Sequence, residues 1–104
     1  LSYIYIRCKG EVAIHRRGEG DIWQGLWEPP LFEDVSLPQW SGHLKQLVTG
    51  VKHVLTHRIL LADFYLLDTD QRPPLPDDYI WVPESSLSDY AVPRLVEKLV
   101  ETYL

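Results

Sequence analysis

The sequence predicts a single α+β domain, a mixed sheet flanked by helices. Three observations carry this reading. Apolar residues alternate with period two near the start of the chain, as a strand requires, and strand-like apolar stretches lie on both sides of a polar turn at Thr56-His57-Arg58. Apolar residues recur at helical spacing between Val92 and Tyr103. The chain has 104 residues, the common size for one domain with one core.

The elements follow in order. Ile4, Ile6 and Cys8 alternate with Tyr3, Tyr5 and Arg7, which predicts a strand. Lys9-Gly10 makes a tight turn into a second arm, Glu11 to His15, with Val12 and Ile14 facing inward. Residues 16–21 form a polar, glycine-spaced loop. Ile22 to Leu31 is rich in large apolar residues, and Pro29-Pro30 stops any helix there. Ser36 is a candidate helix cap with Gln39 as its partner, and Leu37, Trp40, Leu44, Leu47 and Val48 share a helical face. Gly42 weakens that helix by about 1 kcal/mol relative to alanine, and Gly50 is its natural stop. Val51 to Leu55 and Ile59 to Leu67 predict two more strands. Asp68 to Asp78 is a proline-rich acidic loop, Tyr79 to Val82 a short strand, and Pro93 opens the last helix.

Composition excludes several classes. With 45% hydrophobic and 24% charged residues the chain is not a disordered tail. No apolar run approaches the ~20 residues that span a bilayer, and no charged-then-apolar leader opens the chain. Methionine is absent, so the expectation is a domain, residues 1–104, excised from a longer chain. Cys8 is the single cysteine, which leaves no internal disulfide and fits a reduced, cytoplasmic setting. The net charge of −5 argues against strong nucleic-acid binding by this chain alone. Its distribution is uneven: residues 1–58 hold seven Lys/Arg and six Asp/Glu, residues 59–104 three and nine. The N-terminal part is therefore the less hostile one for a phosphate backbone.

Candidate sites divide by spacing and chemistry. His53 and His57 in a strand would sit about 13 Å apart, too far for one metal ion. The acidic loop places Pro73 and Tyr79 where a calcium loop needs glycine and glutamate, so a solvated loop is the reading there. Cys8, on the apolar side of a strand, reads as a buried small hydrophobe. His15-Arg16-Arg17, ahead of Gly18 and Gly20, is either a phosphate-holding turn or a solvated loop. Thr56-His57-Arg58, with Lys52 and His53 just before it, is either a recognition tip or an ordinary hairpin turn.

Several segments together resemble one family. Residues 17–30, Arg-Gly-Glu-Gly-Asp-Ile-Trp-Gln-Gly-Leu-Trp-Glu-Pro-Pro, resemble the segment that opens the C-terminal domain core of MutY-type adenine DNA glycosylases. Val51 to Arg58 resembles that domain's recognition hairpin, and Tyr79 to Val82 followed by Tyr90 to Lys98 resembles its closing strand and helix. The resemblance implies a Nudix-like fold. It does not imply Nudix hydrolysis, because the chain lacks the family's Arg-Glu-x-x-Glu-Glu helix. After Glu28 only Glu33 and Asp34 appear before an acid-free stretch, Ser36 to Gly50.

The resemblance further implies the parent's function: a DNA N-glycosylase of base excision repair that removes adenine opposite 8-oxoguanine. Its catalytic carboxylates and a four-iron four-sulfur cluster would lie in an N-terminal domain outside this chain, and this fragment itself would not be the enzyme. The implied partners are that catalytic domain and double-stranded DNA containing 8-oxoguanine paired with adenine, in a bacterial cytoplasm. Leu55, Thr56 and His57 stand where the family carries Phe-Ser-His and are the implied 8-oxoguanine readers. Arg58, Arg17 and Lys52 are the implied phosphate contacts, and no metal ligands are expected here. Two alternatives remain open: a Nudix-like nucleotide hydrolase, and a protein-interaction domain that uses residues 68–78.

Overall fold

The computed structural model describes residues 1–35 and 42–104. Among these residues six strands form one mixed sheet: β1 (Ser2–Cys8), β2 (Glu11–Arg16), β3 (Trp27–Glu28), β4 (Gly42–Val54), β5 (Ile59–Thr69) and β6 (Tyr79–Pro83). One α-helix, α1 (Arg94–Tyr103), follows, and short 3₁₀ turns occupy Phe32–Asp34 and Glu84–Asp89. None of these helices is long and apolar enough to cross a membrane.

The β1–β2 hairpin turns at Lys9-Gly10, with both residues at positive φ (50° and 81°). That geometry matches the twist of the flanking strands, and glycine at its second position adopts it without strain. β1 also runs parallel to β5 from Ser2↔Asp63 to Cys8↔Thr69, and β4 pairs antiparallel with β5. β2 bonds to β6 and β3. Beyond their first two pairs β1 and β2 separate, and residues 27–31 bond to both strands. His15↔Glu28 and Arg16↔Trp27 pair on one side; Ile4 N–H donates to Pro30 O at 2.9 Å on the other.

The pleat sorts the core onto two faces. Tyr3, Tyr5, Val12, Ile14, Ala62, Phe64 and Val82 pack with Leu95, Val96 and Leu99 of α1. Ile4, Ile6 and Leu67 face the other way, under Val35, Phe32, Leu75 and Trp81. Burial on both faces explains why β1 is apolar at almost every position rather than alternating with charge. Cys8 is buried, a small hydrophobe in the sheet.

One sequence expectation is overturned. The helix expected from Ser36 to Val48 has its first part, residues 36–41, outside the described residues. Its remainder, from Gly42, is part of a 13-residue strand. The apolar spacing that imitates a helix comes from irregular pairing: the register shifts between Gln46 and Val48 and again between Val48 and Val51. A bulge inserts an extra residue and breaks the two-residue period, so a bulged strand reads like a helix. Val48, Thr49, Val51 and Val54 favour a pleated surface, and the apolar β5 supplies the partner. The expected strand Val51 to Leu55 is the far end of this longer one.

Candidate nucleic-acid interface

Glu28 organises the site. Its side chain is fully buried and accepts three hydrogen bonds: from Tyr3 Oη at 2.6 Å, from His15 Nε2 at 2.8 Å and from Arg17 Nη1 at 2.8 Å. Burial alone would push this carboxyl up, but the bonds from His15, Tyr3 and Arg17 outweigh it and hold it below the usual carboxylate range. Burial next to the Glu28 charge pushes the Tyr3 hydroxyl far above the ordinary tyrosine value, so it stays a donor.

From Glu28 the network runs outward. The remaining edge of the Arg17 guanidinium makes a two-pronged pair with Asp21, at 2.7 Å for each oxygen. That pairing, its largest influence, lowers the Asp21 carboxyl below its ordinary range. Asp21 Oδ1 also accepts the Trp23 backbone N–H at 3.1 Å. The Arg17 guanidinium lies 5.5 Å from the centre of the Trp23 ring. The loop is closed at its base by Arg17 N–H to Leu26 O and Gly25 N–H to Arg17 O, both 2.9 Å. Trp23 then meets the imidazole of His53 edge to face, with centroids 6.2 Å apart.

His53 belongs to the end of the β4–β5 hairpin. Pairing with β1 begins at Asp63, so Val51 to Ala62 forms a two-stranded arm, paired Val51↔Ala62 through Val54↔Ile59. Leu55 N–H donates to Arg58 O at 2.8 Å and closes its tip. Thr56, His57 and Arg58 are exposed and Leu55 is half-buried. Lys52 is exposed on the arm's shaft. Arg58 and Leu60 line a shallow pocket of about 300 Å³ together with Arg17, Gly20, Asp21 and Ile22.

The structure therefore brings Arg17 and Arg58 to one concavity, with Leu55, Thr56 and His57 at the adjoining tip. Lys52 stands apart from that pocket on the arm. Arg17 enters the concavity with its guanidinium already bonded to two carboxylates, whereas Arg58 is in none of the ion pairs among the described residues.

Sequence reasoning missed two features. One is the Glu28 hub, which joins residues from three elements and leaves no local pattern. The other was visible: from Val35 to Ala62 the chain contains no Asp or Glu, while it carries Lys45, Lys52, Arg58 and three histidines. In an acidic chain, the entire hairpin is free of carboxylates until Asp63.

A larger cavity of about 670 Å³ lies between α1, β1 and the second 3₁₀ turn. Within it Arg7 Nε donates to Glu84 at 2.9 Å and Tyr5 Oη donates to the same carboxylate at 2.7 Å. The residues present do not fit the magnesium of Nudix hydrolases. Asp34 accepts from Tyr79 Oη at 2.9 Å, β4 carries no carboxylate, and among the described residues no three acidic, histidine or cysteine side chains are placed to hold a metal ion. A single cysteine cannot hold an iron–sulfur cluster.

A parallel β1–β5 pair between antiparallel hairpins, with a closing helix on one face, defines an α+β domain of the Nudix kind. The chain belongs to the NUDIX domain family, whose model matches residues 2–102. It shares its fold with the C-terminal domain of mouse MUTYH, known from a crystal structure of its complex with human PCNA. The TM-score is 0.74 at 20% identity, over 98% of this chain and 84% of that one. A Nudix hydrolase from M. smegmatis, RenU, is also similar, with TM-score 0.66 and 11% identity over 96% and 78% of the two chains. No curated protein matches the sequence.

Proposed function

We propose that this chain is the recognition domain of a MutY-type adenine DNA glycosylase, and that its β4–β5 arm inspects the base opposite the adenine. The observation that carries the reading is the arm's tip: Leu55, Thr56, His57 and Arg58 displayed at the end of an arm, residues 51–62, that carries no carboxylate. The fold shared with the mouse MUTYH domain supports it.

8-Oxoguanine carries a hydrogen on N7 that guanine lacks. A hydroxyl accepts as well as donates, so Thr56 Oγ1 takes that hydrogen bond. Guanine N7 is an acceptor, so the same contact requires the hydroxyl to turn and donate; with its hydrogen engaged elsewhere by the DNA, guanine is disfavoured by roughly 1–3 kcal/mol. His57, Arg58 and Lys52 hold neighbouring phosphates and fix the register without reading sequence. Arg17 acts at the same concavity, held in place by Asp21 and Glu28. Leu55 offers an apolar edge but no ring for stacking. Adenine removal, and any iron–sulfur cluster, belong to a catalytic domain on the same parent protein.

The test is Thr56→Ala in the full-length protein. Discrimination between adenine opposite 8-oxoguanine and adenine opposite guanine should fall about 5- to 150-fold, the equivalent of 1–3 kcal/mol. Unchanged discrimination would remove Thr56 as the reader. A second reading, a protein-docking domain, is favoured by the PCNA complex of the mouse domain and by the acidic loop 68–78. PCNA binding that shifts loop resonances and leaves the arm untouched would support it.

A further inference from the structure

We infer that the outer face of the arm is a second DNA-contact surface, apolar and indifferent to the lesion, that lies in the major groove of the duplex. The inference rests on the recognition reading above and adds a surface to it.

Val54 and Ile59 are cross-strand partners at the last pair before the turn, and Lys52 and Leu61 are partners two positions further in. Alternation along each strand puts all four on one face. That face is the one that, further along β5, holds Leu67 over Val35 and Phe32. On the arm nothing among the described residues covers it: Val54 is 66% exposed, Ile59 56% and Leu61 59%. Three adjoining aliphatic side chains at this exposure call for a partner.

Charge selects the partner. The polar groups beside the patch are Lys52 and His57, with Arg58 at the tip lining the concavity of the other face, and the nearest carboxylate along either strand is Asp63 at the arm's base. Asp63 is already bonded, accepting from Gly50 N–H at 2.9 Å and Ser2 Oγ at 3.2 Å. An apolar stripe edged by cations and free of acids complements a polyanion with an apolar interior surface. Shape agrees, because a major groove about 12 Å wide admits a two-stranded ribbon. The aliphatic groups then meet deoxyribose and thymine methyl surfaces, while Lys52 meets a phosphate.

The test uses the 104-residue chain with labelled methyl groups, titrated with a short duplex to millimolar concentration at low salt. Methyl resonances of Val54, Ile59 and Leu61 should shift, equally for guanine and 8-oxoguanine duplexes. The double variant Val54→Ser/Ile59→Ser, folded because both positions are exposed, should bind about tenfold more weakly with an unchanged salt dependence. Lys52→Ala should instead lower the slope of log affinity against log salt by about one. Silent arm methyls overturn the inference, whether the duplex binds elsewhere or not at all. So does an equal response to phosphatidylserine vesicles, which would identify a lipid surface. If the tip fails to distinguish the two duplexes while the arm methyls still shift, the lesion reading falls and this surface stands.

Discussion

Replacing Glu28 by alanine tests the network that holds the arm. Tyr3 Oη and His15 Nε2 lose acceptors at 2.6 and 2.8 Å, in a region where Tyr3 is fully buried. Each buried donor left without a partner costs about 1–3 kcal/mol, so the two together predict a loss of roughly 2–6 kcal/mol. Arg17 contributes less to that loss, because Asp21 still holds its other edge. A domain of this size has about 5–15 kcal/mol in total, so the variant should be close to unfolding. Each kcal/mol lowers Tm by roughly 4–8 °C, which predicts a fall of at least about 8 °C. Urea titration followed by tryptophan fluorescence measures this, with four tryptophans as probes. Tyr3→Phe supplies the internal control. Alone it should destabilise; in the Glu28→Ala background it should be neutral or stabilising, because the stranded hydroxyl is gone. A loss below 1 kcal/mol for Glu28→Ala, or strict additivity with Tyr3→Phe, would refute the assignment of Glu28 as the hub.

Three further outcomes follow from the same geometry. Glu28 and Asp21 both have carboxyls lowered by folding, so the native state binds fewer protons than the unfolded chain; stability should hold above the ordinary carboxylate range and fall with pH below about 5. Glu28→Gln should flatten that acid limb in urea midpoints measured between pH 7 and 3, and an unchanged limb would place the dependence elsewhere. Trp23→Ala removes the arm's contact through His53 and should raise amide exchange of residues 52–60 about tenfold while the exchange of β1 is unchanged. Gly50 has φ 66° at the bulge that starts the arm, so Gly50→Ala should cost about 1–2 kcal/mol in chemical denaturation, and a neutral result would mean the bulge relaxes.

The parts legible from sequence are those whose pattern is local. Alternation in Tyr3 to Cys8 and Val12 to Ile14, the Lys9-Gly10 turn and the helical spacing from Val92 onward each report a neighbour a few residues away. The first part of β4, up to Gly50, was illegible as strand because two register shifts scramble that alternation, and only the β5 partner reveals it. The polar turn at Thr56 to Arg58 was legible as a turn, but its projection from the sheet depends on where β1 begins to pair. The link between the Gly25-Leu26-Trp27-Glu28 segment and the hairpin was hidden for another reason. It runs through Arg17, Asp21 and Trp23 to His53, over contacts that no periodicity encodes.

The bulges and the arm also separate two kinds of selection on this chain. The buried core of β5 begins at Ala62 and Phe64, inside the arm's base, so on the hairpin the residues that pack the core and those proposed to meet a partner occupy separate positions. Substitutions from Val54 to Leu61 change what the hairpin touches and leave the packed interior as it was. The tip is in that sense interchangeable. On the proposed reading, a different opposite-base preference is installed by exchanging about eight residues, with Trp23 and the Glu28 hub left to aim whatever is placed there.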